Sequence, residues 1–371
     1  MEALKEETRM HHQTLTVCDF SQGIAGPYAG RLFAEFGARV IKIEPPPGDW
    51  SRGMGIRTPA GQSSMHEFYN MGKQGISLDL TDERCQDVAT TIIRKSDVLI
   101  HNFKVGSEGK FGLADEAVLQ INPDIVLLSI NGFGLQGPLA SSPATDTTIQ
   151  AFSGFADAAA PAQDPCRIRV AVADIFTGAR AYQIALESLL RKQMGMQYER
   201  INAVSMLEAM SHLMGYKVFD EFILGRKTVK EALPATGIYS CNDGHVSISC
   251  SSQLQVEKLV LLLDPDRSGS QHLDLKDQES VQPFVARSIA PMAVDAACSL
   301  LASAGVPCVR VHSIRDFVQH PQVAGAGIFE WRNIDGVELP NVAPRNGANL
   351  TPAPRCDEHR REILEWVNDD I

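Results

Sequence analysis

The sequence lacks the features that membrane, secreted and metal-binding proteins need. No apolar run approaches the roughly 18 to 20 residues of a membrane span, and the charged, polar residues 1–12 do not resemble a secretory signal. The eight cysteines include no C-x-x-C pair, and the ten histidines lack metal-ligand spacing. We therefore predict reduced thiols, a cytoplasmic location, no metal site and no membrane association.

A surplus of basic residues is also missing. The chain has 34 lysines and arginines against 45 aspartates and glutamates, which gives a net charge of −11. Surfaces that bind nucleic acid or anionic membranes are basic, so we expect neither partner. The balance suits a small-molecule enzyme, in which any phosphate-bearing ligand needs a local cationic pocket.

What is present is an ordinary globular composition in a chain of 371 residues, 44% hydrophobic and 21% charged. This length favours two domains. The first third alternates strands and helices, predicted in chain order at 14–20 (strand), 29–36 (helix), 38–44 (strand), 81–95 (helix), 97–100 (strand) and 125–130 (strand). Strands that are apolar throughout and linked by helices predict an α/β fold with a Rossmann-like parallel sheet.

The character of the chain changes after about residue 225. The later predicted segments are 175–192 (helix), 204–224 (helix), 237–250 (two strands with an Asn-Asp-Gly turn), 316–324 (helix), 336–354 (extended linker) and 357–368 (helix). We therefore predict a large α/β domain at 1–225, completed by 330–371, and a smaller α+β domain with its linkers at 226–329.

Ligands of parallel α/β sheets bind beyond the carboxyl ends of the strands, so the loops there are candidates for the functional site. The first loop, Gln22-Gly-Ile24-Ala25-Gly-Pro-Tyr28, has glycines that would let backbone approach a ligand at a helix start. It matches neither G-x-G-x-x-G nor the P-loop. A plain strand-to-helix turn would have a similar composition.

Two further loops combine polar, aromatic and small residues. Asn102-Phe103-Lys104, with Lys110 shortly after, could stack an adenine and neutralise phosphates, although two lysines more often mark a solvated surface. Asn131-Gly132-Phe133 opens a glycine-rich stretch that could form a backbone-lined wall. An ordinary turn-rich connection is nearly as good an interpretation.

The fourth cluster places one acidic residue, Asp174, among apolar residues where a long helix begins. Aspartate is a favoured N-cap, and on spacing alone this bland interpretation is the better one. The functional alternative is a nucleophile, because a carboxylate can attack a thioester and a helix N-terminus stabilises negative charge.

In this order, the clusters resemble the class III CoA-transferase family, which includes formyl-CoA transferase and carnitine CoA-transferase. Each matching stretch is weak alone, but the ordered set is specific and covers nearly the whole chain. The stretches are 19–27, 37–44, 75–80, 102–104, 129–134, 149–154, 173–174, 204–208, 237–239 and 243–244.

The resemblance implies roles for individual residues. Asp174 falls on the family's catalytic aspartate. The positions that fall on the CoA site are Ile24, Ala25, Leu78, Thr81, Asn102, Phe103, Lys104, Lys110, Asn131, Gly132 and Phe133. Acyl-CoA and a small carboxylic acid are then the substrates, with no permanently bound cofactor, and the protein is expected to be a homodimer of interlocked rings.

Departures from the family pattern bear on the branch and on a rival activity. Pro45 replaces a cation of formyl-CoA transferase, and the consecutive glycines of that enzyme's lid are missing near 233–237, which favours the carnitine-type branch. The related α-methylacyl-CoA racemases use an acid/base pair that includes a histidine immediately before the aspartate of the segment matching Pro143-Ala-Thr-Asp146. This chain has Thr145 at the histidine position, which cannot act as a base near neutral pH. Racemase activity is therefore disfavoured, and a non-catalytic CoA-binding protein is the other alternative.

Overall fold

The computed structural model describes residues 15–160, 164–226 and 233–369. The described chain divides into two compact units. Unit 1 extends to Phe219 and resumes at Glu330, and unit 2 is Asp220–Phe329.

Unit 1 is built on a six-stranded sheet in which every neighbouring pair is parallel. Its strands are β1 (Thr16–Asp19), β2 (Arg39–Glu44), β3 (Gln74–Ser77), β4 (Val98–His101), β5 (Val126–Asn131) and β6 (Ile201–Ser205). They lie in the order β3-β2-β1-β4-β5-β6. Successive strands are therefore added outward from β1 on one side of the sheet and outward from β4 on the other. This is the doubly wound arrangement, in which ligands bind at the switch point between β1 and β4.

The strands carry apolar residues on both sides because both faces of the sheet are covered. Neighbouring residues alternate between two core clusters: Val98 packs on one face and Leu99 on the other. Helices from the start and middle of the chain, which contribute Phe33 and Ala181, cover the first face. Helices that contribute Ile92 and Ile363 cover the second.

The helices of unit 1 bring together distant parts of the sequence. They are α1 (Ala25–Glu35), α2 (Ser64–Asn70), α3 (Glu83–Arg94), α4 (Asp115–Ile121), α5 (Asp146–Phe152), α6 (Phe155–Ala158), α7 (Val172–Gln193), α8 (Met206–Leu213), α9 (Gly215–Leu224, which crosses into unit 2) and, at the end of the chain, Arg360–Asn368. Short 3₁₀ helices lie at Trp50–Gly53 and Glu108–Phe111. A two-stranded sheet, β10 (Phe329–Ile334) with β11 (Val337–Val342), precedes the last helix.

Unit 2 has a core of its own around a three-stranded antiparallel sheet. Its strands are β7 (Gly237–Cys241), β8 (Gly244–Ile248) and β9 (Cys308–Arg310), and its helices are α10 (Gln253–Leu263), α11 (Gln278–Ile289), α12 (Val294–Ser303), α13 (Ile314–Gln319) and α14 (Pro321–Gly325). The predicted hairpin at the Asn-Asp-Gly turn is confirmed, since β7 and β8 pair antiparallel across it.

Several predicted boundaries are wrong for identifiable reasons. The first helix begins at Ala25 instead of residue 29, because Pro27 in a first turn needs no N–H partner. Strand β6 was not predicted, and its last two residues fall in the predicted helix at 204–224. The predicted linker at 336–354 contains β11. The helix expected at 316–324 is two short helices, with Pro321 opening the second. None of the described helices is long and apolar enough to cross a bilayer.

Candidate functional site

A cleft of about 430 Å³ lies at the carboxyl edge of the sheet in unit 1. Its walls come from the segments after β1, β4, β5 and β6, so it occupies the switch point of the fold. The residues that line it are Gln22, Ile24, Ala25, Trp50, Asn102, Phe103, Lys104, Val105, Ile130, Asn131, Gly132, Ala140, Ser141, Ser142, Pro143, Ala144, Thr145, Asp146, Asp174 and Met206.

Asp174 lines this cleft from the first turn of α7. It is not the N-cap: that position is Ala171, whose side chain cannot cap. The capping oxygen comes instead from Asp146, whose Oδ1 accepts hydrogen bonds from the N–H groups of Ala173 (2.8 Å) and Asp174 (3.4 Å). The N-cap interpretation of Asp174 is therefore wrong, and its carboxylate is left for another role.

The environment of the Asp174 carboxyl disfavours its charge. Burial raises its pKa to about 7, and the negative charge of Asp146 adds to the rise. No salt bridge among the described residues reaches Asp174. Near neutral pH the group is divided between its ionised and neutral forms.

A buried tyrosine lies within the field of this carboxylate. Burial raises the pKa of the Tyr69 phenol to about 12, and the charges of Asp174 and the neighbouring Tyr28 reinforce the rise. The ring of Tyr69 packs edge-on against Tyr28, with centroids 6.0 Å apart. Tyr69 therefore keeps its proton near neutral pH.

The helix that carries Asp174 packs closely on the helix that follows the first glycine-rich loop. At Gly178, one turn after Asp174, a Cβ atom would collide with the carbonyl oxygen of Ala25 and the ring of Tyr28. Glycine there lets the two backbones touch, which fixes the distance between Asp174 and the loop at 22–25.

That loop is tied to the loop after β4 by a reciprocal pair of hydrogen bonds. The N–H of Gln22 donates to Oδ1 of Asn102 (2.9 Å), and Nδ2 of Asn102 donates to the carbonyl of Gln22 (2.7 Å). Two neighbouring walls of the cleft are therefore joined at the switch point.

Behind the same loop, two lysines and two aspartates are buried as ion pairs. Nζ of Lys73 lies 2.8 Å from Asp19, and Nζ of Lys42 lies 2.9 Å from Asp49, with both side chains of each pair excluded from solvent. Asp49 also accepts from the N–H of Gly23 (3.0 Å), which adopts a positive φ of 86° against the ring of Trp50. The ion pairs thus support the backbone of the loop.

The structure brings most of the predicted site residues together. Eight of them line the cleft: Ile24, Ala25, Asn102, Phe103, Lys104, Asn131, Gly132 and Asp174. Asn131 is notable because its Oδ1 accepts from the N–H of Gly134 (2.6 Å), while its buried Nδ2 has no hydrogen-bond partner among the described residues. Its amide can therefore donate to a ligand.

Four predicted site residues do not line this cleft. Leu78 is fully buried in the core on one face of the sheet, and the hydroxyl of Thr81 donates to Asp79. Lys110 is exposed on the 3₁₀ helix Glu108–Phe111, and Phe133 packs beside the small core cluster around Met210. No contact in the structure tests a role for them in binding.

Sequence reasoning missed other residues in and around the cleft. Trp50, which lines it, and Tyr69, which lies outside its lining, have no motif signal. Asp146 belongs to the segment that matches the racemases, but nothing in the sequence indicates its hydrogen bond to Asp174 across 28 residues. Thr145 was noted only as the racemase departure. Its hydroxyl and that of Thr148 form a capping box at the start of α5, which gives it a structural role.

Comparison with known proteins adds an independent finding. Residues 13–360 match the sequence profile of a family described as CoA-transferase family III. A succinate–glutarate CoA-transferase of Agrobacterium fabrum is 28% identical over 94% of this chain and 94% of its own length. An L-carnitine CoA-transferase of Proteus mirabilis is 26% identical over 87% of this chain and 83% of its own. A solved structure of a CAIB/BAIF family protein from Brucella suis superposes with a TM-score of 0.81 at 26% identity, over 95% of this chain and 98% of the other.

Proposed function

The chain belongs to CoA-transferase family III, and we propose that it moves CoA from an acyl-CoA donor to a small carboxylic acid with Asp174 as the covalent carrier. The observation that carries this proposal is the position of Asp174: a carboxyl group in the wall of a cleft, partly withdrawn from water and without a described counter-charge. A structural carboxylate in such a place would be expected to have a cationic partner.

The proposed reaction exchanges one activated carboxyl for another. The Asp174 carboxylate attacks the thioester carbon, the C–S bond breaks, and CoA leaves as thiolate from a mixed anhydride. The thiolate attacks the Asp174 carbonyl and releases the donor acid, leaving an aspartyl-CoA thioester. The acceptor carboxylate attacks this thioester, and the thiolate freed from it then takes the acceptor acyl group and restores Asp174.

The environment of Asp174 supports this role in two ways. A carboxylate whose pKa is raised to about 7 is more basic than an ordinary aspartate, so it is a better nucleophile when ionised. Partial exclusion of water also protects an anhydride from hydrolysis. The unpaired amide of Asn131 and the protonated phenol of Tyr69 are the proposed donors to the oxygen that becomes negative in each attack.

For the CoA moiety we propose the wall formed by the loops after β1, β4 and β5. Phe103 is held in place between His101 and Phe111, with ring centroids 5.2 Å from each, so it offers a fixed apolar surface. Lys104 supplies the positive charge that an acidic chain needs to hold phosphates. Leu78, Thr81, Lys110 and Phe133 remain predictions from the resemblance alone.

The acceptor acid is proposed from the names of relatives. The A. fabrum relative is named for succinate and glutarate and is matched over almost its full length, whereas the carnitine enzyme is matched over a smaller share. Both a short dicarboxylate and a carnitine-like acid are therefore candidates. Mass spectrometry of mixtures of one acyl-CoA with succinate, glutarate, oxalate or carnitine would identify the acceptor as the acid that yields a new CoA thioester.

We also propose that the protein works as an interlocked homodimer in the cytoplasm. Helix α9 presents Tyr216, Phe219, Phe222 and Ile223 with 66 to 86% of each residue exposed, an apolar surface of the kind that a second copy would cover. All eight cysteines are free thiols, as expected in a reducing compartment. Light scattering on the purified protein tests the dimer, and a monomer at catalytic concentrations would contradict it.

The experiment that tests the proposed function is transfer of label from a donor acyl-CoA to a second acid. Wild-type protein should produce the new thioester, and Asp174→Asn should not. Rapid exchange of the α-hydrogen of a 2-methylacyl-CoA without an acceptor acid would instead indicate a racemase. CoA binding with neither reaction, across the four acids, would indicate a binding protein.

A further inference from the structure

Unit 2 holds a pair of cysteines outside the proposed site. Cys298 lies on α12 and Cys308 begins β9, and their sulfur atoms are 3.6 Å apart. Both side chains are partly buried, so a small solute can reach them. This is a hydrogen-bonded contact between two thiols, well beyond the length of about 2 Å of a disulfide bond.

We propose that Cys298 and Cys308 form a peroxide-reactive dithiol that closes to a disulfide. The Sγ atoms need to approach by about 1.6 Å to bond, a distance that small rotations of two side chains can supply. The residues that connect them, 299–307, form the end of α12 and a turn through Gly305, which has a positive φ of 69°. The two cysteines are thus held together by a short local connection.

The proposed oxidation is balanced with hydrogen peroxide as the oxidant. The thiolate of one cysteine attacks peroxide, the O–O bond breaks, and a sulfenic acid forms with release of water after one proton is taken up. The second thiol attacks the sulfenic sulfur, the S–O bond breaks, and a second water leaves with the thiol's proton. Two thiols and one peroxide therefore give one disulfide and two waters.

Charged groups flank the pair. Burial and the hydrogen bond to Cys298 raise the pKa of the Cys308 thiol to about 12. Asp295, on the helix of Cys298, and Arg310, on the strand of Cys308, are paired with each other at 2.9 Å, and the side chain of Asp243 accepts from the N–H of Val294.

A third cysteine provides the internal control. Cys241, at the end of β7, lies close enough for Cys298 to contribute to the raised pKa of its thiol, after burial and Asp243. It has no sulfur–sulfur hydrogen bond among the described contacts, in contrast to the pair. Cys241→Ser should therefore leave the disulfide intact.

The full chain is treated with hydrogen peroxide, denatured, alkylated with iodoacetamide and digested with trypsin. Residues 288–310 form one tryptic peptide that contains both cysteines and ends at Arg310. We expect this peptide to be two hydrogen atoms lighter and unalkylated, and to take two alkyl groups after reduction with dithiothreitol. Cys241→Ser should give the same result, whereas Cys298→Ser and Cys308→Ser should give none of the lighter peptide.

Two outcomes would overturn the inference. One is alkylation of both thiols in the wild-type peptide under conditions that oxidise the exposed Cys166 and Cys356, which serve as reporters that the oxidant was active. The other is loss of the disulfide in Cys241→Ser, which would assign the reaction to a different pair. The first outcome needs only the wild-type protein, so the inference is still tested if a serine variant fails to fold.

Discussion

Asp19 and Asp174 are two buried aspartates in the same unit, and their surroundings push their pKa values in opposite directions. Burial alone would raise the pKa of Asp19, but the ammonium groups of Lys73 and Lys42 outweigh it and hold the pKa below its usual range. Burial raises the pKa of Asp174 to about 7, and the neighbouring negative charge of Asp146 adds to that rise.

The comparison teaches that burial by itself does not reveal the task of a carboxylate. At Asp19 the charge is neutralised by Lys73 and serves to hold the glycine-rich loop in place. At Asp174 no opposite charge stabilises the ionised carboxylate, so its pKa stays high and the carboxylate is more basic than that of an ordinary aspartate. The presence or absence of a neighbouring positive charge, and not the depth of burial, distinguishes a structural aspartate from a nucleophile.

The largest expected effect comes from removing the reactive group. Asp174→Asn keeps the size of the side chain but removes its nucleophilic oxygen, so transfer should fall by at least about a thousandfold. Binding of CoA, measured by calorimetry, should stay within a few-fold of wild type. The matched control Asp124→Asn, on an exposed surface, should leave both quantities unchanged, and wild-type turnover by Asp174→Asn would refute the mechanism.

The next effect concerns the structural aspartate. Lys73→Met leaves Asp19 buried without its nearest counter-charge and should lower the free energy of unfolding by about 3 to 5 kcal/mol. The double variant Asp19→Asn with Lys73→Met should recover part of that loss, because no buried charge then remains unpaired. Urea denaturation measures both, and equal losses in the single and double variants would show that the pair is not an electrostatic unit.

The third prediction is a pH dependence with opposite signs for activity and stability. Transfer needs ionised Asp174, so kcat/KM should rise with pH and level off above about pH 7. The folded chain holds this proton more tightly than the unfolded chain, whose Asp pKa is about 3.9. Stability should therefore decline as pH rises from about 4 to about 7, by a few kcal/mol at most, and stay level above that.

Two variants sharpen this pH prediction. The decline in stability should be missing from Asp174→Asn, as judged by unfolding at a series of pH values. Asp146→Asn removes the like charge but keeps a capping oxygen for α7, so it should shift the activity profile toward acid. An unchanged profile in Asp146→Asn would show that burial alone sets the pKa of Asp174.

The smallest expected effect concerns Lys104 and Lys110, for which the sequence predicts the same role in binding phosphates. Lys104 lines the cleft, whereas Lys110 lies on the exposed 3₁₀ helix and does not. Lys104→Ala should raise the KM for acyl-CoA several-fold, and Lys110→Ala should raise it less. Steady-state kinetics at low salt decide the order, and a larger effect at Lys110 would mean that the phosphates follow a different path.

The parallel sheet could be predicted from the sequence because its strands are short apolar runs, such as Val126–Asn131, whose type depends little on distant residues. Strand β6 could not, because Ile201–Ser205 leads directly into a helical pattern and becomes a strand only by pairing with β5. Asp174 was found through the resemblance, since on spacing alone it read as a helix cap. The roles of Tyr69, Asp146 and the buried lysines could not be predicted, because only the folded chain brings Asp146 and Tyr69 into the field of Asp174 and the lysines behind the glycine-rich loop.

The central claim is tested most directly by trapping the acyl group on Asp174. The protein is incubated with acyl-CoA, quenched with hydroxylamine and digested with trypsin, and Asp174 is the only carboxylate side chain in the tryptic peptide 170–180. We predict a hydroxamate in that peptide that depends on acyl-CoA and is missing from Asp174→Asn. Continued CoA transfer with no hydroxamate at Asp174, or with the label on another residue, would contradict the account.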